Sequence, residues 1–127
     1  EDGWLFTSEE FSCPADSEET FAAHMKFVGE TADTLRQQGS EIVIALIPAK
    51  ARVFEEKTGA LSWPSCRRDV YDRARAAFKA AGIAYASPLA ALQAGGAETF
   101  LRTDTHWSPA GAARTAEIVA DTVKTIK

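Results

Sequence analysis

Ile42-Val43-Ile44-Ala45-Leu46-Ile47, followed at once by Pro48, is the stretch that decides the fold. An unbroken apolar run of this length, rich in β-branched residues, is too short for a buried helix and matches a strand covered on both faces. Pro48 cannot donate to a ladder, so it ends the strand and leaves Lys50 and Arg52 just past its carboxyl end. Upstream, Asp16-Ser17-Glu18-Glu19 offers a capping residue with Glu three places on. Phe21, Met25, Val28, Ala32 and Leu35 then recur at four- and three-residue steps up to Gly39, which reads as a C-cap. Before this helix, Trp4, Leu5, Phe6 and Phe11 read as a short packing strand that enters and leaves the core. Downstream, Glu55 to Arg68, with Gly59, Pro64 and an isolated Trp63, is an irregular excursion. From Asp69, Val70, Ala74, Ala77, Phe78 and Ala81 form a second helical stripe that closes at Gly82. Ile83-Ala84-Tyr85-Ala86 is a second strand. Ser87-Pro88 and Ser108-Pro109 each pair a capping residue with a first-turn proline, and Ala112, Ala116, Val119, Val123 and Ile126 mark the inner face of the last helix.

Strands alternating with helices of this length predict an α/β fold: a parallel sheet with right-handed crossovers and helices on both faces. Ligands bind such sheets beyond the carboxyl ends of the strands, which places Lys50, Arg52, Ser87, Asp104 and His106 along one edge. The 127 residues make one domain at most. With 18 acidic against 14 basic residues and a net charge of -4, no basic field favours nucleic acid or an anionic surface. No apolar run nears the ~20 residues of a membrane span, and no charged-then-apolar leader is present.

The chemistry gathers in Arg102-Thr103-Asp104-Thr105-His106-Trp107-Ser108-Pro109-Ala110-Gly111. An acid and an imidazole two residues apart leave an extended backbone on the same face. A carboxylate on one ring nitrogen fixes the tautomer and leaves the other nitrogen free to take a proton. A triad also needs a serine, and no G-x-S-x-G turn is present. Ser87 and Ser108 read better as helix caps. Asp104 and His106 would make only half of a metal site, so no metal or other cofactor is expected. His24 lies off its helix's apolar stripe and reads as a surface residue.

The block T-D-T-H-W-S-P-A-G-A resembles the signature of the alginate O-acetyltransferase family. So do Asp2-Gly3-Trp4-Leu5-Phe6 and Ile47-Pro48-Ala49-Lys50-Ala51-Arg52, in the same order. The resemblance implies an SGNH-hydrolase-like (flavodoxin-like) domain spanning 1–127 or forming the N-terminal portion of a longer one. In this family the nucleophilic serine belongs to a block after the D-x-H block, and that block is missing here, so the chain reads as the first part of a longer domain or as one that has lost its nucleophile. The implied function is O-acetylation of hydroxyls on an exported polysaccharide such as alginate, in the periplasm. His106 is then general base and acid, Asp104 its orienter, and the serine lies outside this chain. The partners are a polysaccharide acceptor and an acetyl donor, supplied by a membrane acyltransferase, with no nucleic acid. Lys50 and Arg52 are candidates for holding a uronate carboxylate, or else ordinary surface charges or ion-pair partners; Trp107 is a candidate sugar contact. Cys13 and Cys66 lie in loop-like stretches and read as a disulfide, two inert thiols or a metal pair. The resemblance to a periplasmic family favours the disulfide. Two other readings stay open: a non-catalytic carbohydrate-binding or assembly module using Trp63 and Trp107, and an acetylesterase in which water replaces the sugar hydroxyl.

Overall fold

The structure is a computed structural model that describes residues 2–126. Its helices and strands follow in the order α1 (Ser17–Gln37), β1 (Val43–Ala45), α2 (Lys50–Val53), α3 (Ser65–Arg68), α4 (Val70–Ala80), β2 (Ala84–Ala86), α5 (Leu89–Gly95) and α6 (Pro109–Thr125). Single 3-10 turns form at Ser8–Phe11, Glu55–Lys57 and Gly96–Thr99. β1 and β2 pair in parallel, Val43 opposite Ala84 and Ala45 opposite Ala86, with α4 in the crossover between them. The expected α/β architecture with a parallel sheet is therefore present in miniature.

Alternation along the strands explains how the helices are placed. Ile44 and Tyr85 share one face and pack into the core of Ala32 from α1, Ala74 and Phe78 from α4, and Ile83. Val43, Ala45, Ala84 and Ala86 take the other face, where α6 packs against both strands. Three small alanines on that face let a helix approach closely. Helices thus flank both faces of the sheet, although Ala45 stays exposed on the α6 side.

Several local expectations differ from what forms. The central strand has three ladder residues, and Ala45 and Ile47 are exposed. Its partner β2 is itself only three residues long, ending at Ser87-Pro88, so the ladder has nothing further to pair with. Among the described residues the other edge of β1 is unpaired. The Trp4 to Phe6 segment is extended but joins no sheet; its side chains enter a second core instead, and the Leu5 N–H donates to the Arg102 carbonyl. Asp16 precedes α1 without capping it, since its φ and ψ of -93° and 15° lie outside the extended region a capping side chain needs. The C-terminal stop does form: Gly39 takes φ 80°, its N–H reaches the Arg36 carbonyl and the Ser40 N–H the Leu35 carbonyl, a Schellman arrangement. On α6 the buried positions are Gly111 and Thr115, while Ala116 and Val123 face solvent. The first turn of α6 is pressed against the Gly96–Thr99 turn, and a Cβ on Gly111 would lie 2.1 Å from the Thr99 carbonyl oxygen. Ala112, Val119 and Ile126 of the expected face are half-buried.

Cys13 and Cys66 form a disulfide with Cα atoms 6.1 Å apart, tying the stretch after the first 3-10 turn to α3. Beyond the carboxyl ends of the strands sits the second core, made of Val53, Phe54, Leu92 and Phe100 with Trp4, Phe6, Leu89 and Trp107 packed on it. Phe54 is its centre: Trp4 lies tilted at 4.6 Å and Phe100 meets it edge-on at 5.8 Å.

Candidate active site

The segment from Phe100 to Trp107 is a closed loop standing on that second core. Phe100 and Trp107 form an antiparallel bridge, and the Leu101 N–H donates to the His106 carbonyl at 3.0 Å. Within the loop, Asp104 Oδ1 accepts the His106 backbone N–H at 2.9 Å and lies 2.5 Å from His106 Nδ1. The dyad forms as the D-x-H spacing predicts, but a turn brings it together where an extended backbone was expected. A carboxylate that accepts the N–H two residues on closes an Asx-turn, and the same turn swings the imidazole back onto the same oxygen. The His106 backbone N–H, followed by its ring, holds the Asp104 carboxyl below the usual carboxylate range. An ionised partner on Nδ1 places the ring proton there and leaves the Nε2 lone pair outward. The His106 side chain is 77% exposed, so that nitrogen is open to a reactant.

The two candidate serines are engaged elsewhere. Ser108 caps α6 by accepting the Gly111 N–H at 3.2 Å, and its hydroxyl donates to the Glu98 carbonyl. Ser87 caps nothing; its hydroxyl pairs with Tyr71 Oη at 2.9 Å, while Tyr71 donates to the Leu46 carbonyl at 3.0 Å. Burial pushes the Tyr71 phenol up, which keeps it a donor. Among the described residues no serine hydroxyl hydrogen-bonds His106. Nor do the described residues hold a cluster of three or more metal-ligating side chains.

Lys50 corrects the expectation that it meets a substrate carboxylate. It is 1% exposed, and its ammonium donates to the carbonyls of Leu5, Leu101, Arg102 and Asp104 at 2.7–2.9 Å. The faces of Trp4 and Phe6 lie 4.8 and 5.2 Å from it. Burial pulls the ammonium below the ordinary lysine range, against the charges of Glu10 and Asp104. With more carbonyls than N–H groups around it, this lysine has nothing left to offer a ligand.

Arg52 is placed differently. Its guanidinium sits 4.7 Å from the Trp63 ring and 5.1 Å from the Tyr71 ring, and Nη2 donates to the carbonyls of Arg67 and Arg68. It lines a cleft of about 450 Å³ together with Trp63, Tyr71 and Ile47, with the exposed His24 at its rim. A smaller hollow of about 200 Å³ holds His106 and Trp107, and both share Glu10, Ile47 and Ala49. His106 and Arg52 thus line two neighbouring hollows that meet at Glu10, Ile47 and Ala49, beyond the carboxyl end of β1. Glu10 and Tyr71 were not singled out from the sequence. The Glu10 carboxylate caps α2 by accepting the Ala51 N–H at 2.7 Å, and its carbonyl accepts the Trp63 indole N–H at 2.8 Å. No local pattern announces such a long-range contact. Tyr71 does have a signal, since it precedes Ala74 and Phe78 on the buried stripe of α4.

A family model described as an SGNH hydrolase-like domain, acetyltransferase AlgX, matches residues 1–127. The probable alginate O-acetylase AlgJ of Pseudomonas putida is 37% identical over 124 residues, covering 96% of this chain and 32% of that protein. Its counterpart in Pseudomonas syringae pv. tomato is 41% identical over 113 residues, 87% of this chain and 29% of that protein. The alginate biosynthesis protein AlgX of the same organism is 32% identical over 134 residues. Among solved structures, the O-acetyltransferase domain of Pseudomonas putida AlgJ superposes with a TM-score of 0.92 at 37% identity, covering 98% of this chain and 45% of that one. The chain spans about a third of the length of the curated relatives it matches.

Proposed function

The chain belongs to the family of SGNH hydrolase-like acetyltransferase domains, and we propose that it supplies the general base for O-acetyl transfer onto hydroxyls of an exported polysaccharide such as alginate, in the periplasm. The observation that carries this reading is the imidazole with Nδ1 held by Asp104 and Nε2 open at the edge of the cleft. The nucleophile is a serine outside these 127 residues. In the first step its oxygen attacks the acetyl carbonyl of the donor while His106 Nε2 takes the hydroxyl proton. The tetrahedral oxyanion collapses, the donor's leaving group departs with that proton, and an acetyl-serine ester remains. In the second step an acceptor hydroxyl attacks the ester, His106 takes its proton, and the serine oxygen leaves and regains it. Asp104 keeps the imidazole in its working tautomer and stabilises the imidazolium in both steps. Arg52 meets the carboxylate of a uronate acceptor, and Trp107 offers its indole face to the sugar ring. The donor is delivered by a partner membrane acyltransferase; no helix among the described residues is long and apolar enough to cross a membrane.

The test uses the natural full-length protein. It is incubated with an activated acetyl ester, quenched and weighed, then offered an alginate oligosaccharide. The expected result is an acetyl adduct on one serine that the oligosaccharide discharges, and its loss in His106→Ala. Discharge by water at the same rate with or without the sugar makes the protein an esterase. A folded protein that binds the oligosaccharide and never carries an acetyl group is a binding or assembly module, and the proposal fails.

A further inference from the structure

Lys50 is the most completely engaged charged side chain in the site, and neither step above uses it. Its position follows from the sheet: β1 ends at Ala45, and after the short link through Pro48 and Ala49 Lys50 opens α2. From there the stem runs inward until the ammonium is enclosed, 1% exposed, beneath Trp4 and Phe6. Three of its four acceptors, the carbonyls of Leu101, Arg102 and Asp104 at 2.7, 2.9 and 2.8 Å, belong to the loop that carries the dyad. The fourth, Leu5 at 2.8 Å, belongs to the N-terminal segment.

A loop of this length has no reason of its own to turn three of its carbonyls to the same side. A carbonyl turned inward loses water; the Arg102 carbonyl has the Leu5 N–H in return, and the compact ammonium supplies a donor to all three at once. The Asp104 carbonyl is the informative acceptor. Its own carboxylate holds the imidazole through an Asx-turn, so fixing the Asp104 backbone fixes where the carboxylate stands. His106 itself is exposed and the described residues around it add no other hydrogen bond to its ring. The orientation of the base therefore depends on the backbone beneath it.

We propose that Lys50 is the positioning residue of the Asp104–His106 dyad, its ammonium gathering the loop carbonyls so that the imidazole is aimed before substrate arrives. This rests on the reading of His106 as the base. Arginine is no substitute, because its planar fork directs N–H groups within one plane, whereas these four carbonyls converge on one compact ammonium.

The test is a pair of variants, Lys50→Met and Lys50→Arg, in the full-length protein labelled with 15N-histidine, the His106 signals being assigned by their loss in His106→Gln. In the unaltered protein the ring should show one dominant Nδ1–H tautomer. Both variants should remain folded by circular dichroism, shift His106 toward the tautomer mixture of a free imidazole, and lose about 100-fold in kcat, the scale of a small misplacement of a reacting group. Replacing Lys50 by Cys and alkylating it with 2-bromoethylamine restores an ammonium at nearly the same reach and should recover both readings, which a general loss of structure would not. Folded variants with an unchanged His106 spectrum and unchanged kcat overturn the proposal. So does failure of both variants to fold, since the ammonium would then hold the whole domain and not the dyad. The spectrum needs no turnover, so an inactive but spectrally normal parent protein would sink the acetyl-transfer reading and leave the positioning role standing.

Discussion

Asp104→Asn is the perturbation that tests the site most directly. The amide keeps the size of the side chain and an oxygen able to accept the His106 backbone N–H at 2.9 Å, so the Asx-turn and the loop should survive. What it loses is the negative charge 2.5 Å from Nδ1. In buried triads the same exchange costs about 10⁴-fold in kcat. Here the carboxylate is 48% exposed and the imidazole 77% exposed, so water screens the imidazolium in either variant and replaces part of what the charge supplied. The expected loss is smaller, on the order of 10²- to 10³-fold in kcat. His106→Ala should cost at least as much, and the double variant no more than His106→Ala alone, because a carboxylate without its imidazole has nothing to orient. The assay is acetyl transfer by the full-length protein alongside thermal unfolding of the same three variants. The pH sign follows from the lowered Asp104 pKa. Its stabilising contribution is complete above the ordinary carboxylate range and is lost only as pH falls through the lower folded value. The Asp104 carboxyl carbon should accordingly titrate by NMR below an ordinary aspartate. A folded double variant with near-normal turnover would refute the reasoning, and so would an Asp104→Asn loss fully explained by a lower melting temperature.

Two further outcomes concern the scaffold. The Cys13–Cys66 bridge spans a sequence separation of 53 residues, and closing a loop of that size in the unfolded chain corresponds to about 4 kcal/mol, so reduction or Cys13→Ser/Cys66→Ser should lower the urea midpoint in step. A shift corresponding to under about 1 kcal/mol would show that the bridge adds little to the packing already around it. Gly111→Ala puts a methyl group against the Thr99 carbonyl that accepts the Ser108 N–H, and should cost roughly 1–3 kcal/mol in denaturant unfolding; an unchanged midpoint would show that the Gly96–Thr99 turn yields freely.

By itself the sequence determined the parts set by short-range periodicity and backbone chemistry. The apolar run before Pro48, the stripes of α1 and α4, the stop at Gly39 and the Ser108-Pro109 start of α6 all follow from rules that act within a few residues, and all form. The pairing of Asp104 with His106 was legible for the same reason, since they lie two positions apart, although the turn that joins them was not. Where the outcome depended on what lies across the molecule, only the tertiary structure decided. The three-residue length of β1 depends on a partner forty residues away in the chain, as the register of Val43 with Ala84 shows. On α6 the most buried positions are Gly111, where Thr99 leaves no room for a Cβ, and Thr115, neither marked by the apolar pattern. Lys50 and Arg52, two residues apart beyond one strand, looked equivalent as charges. The fold separates them, enclosing one ammonium among four carbonyls and stacking one guanidinium between Trp63 and Tyr71 at the cleft. A charge's role is set by the groups that replace its water, and those groups come from segments about fifty residues away in the chain, as with Leu5 and Asp104 around Lys50, beyond the reach of any local pattern.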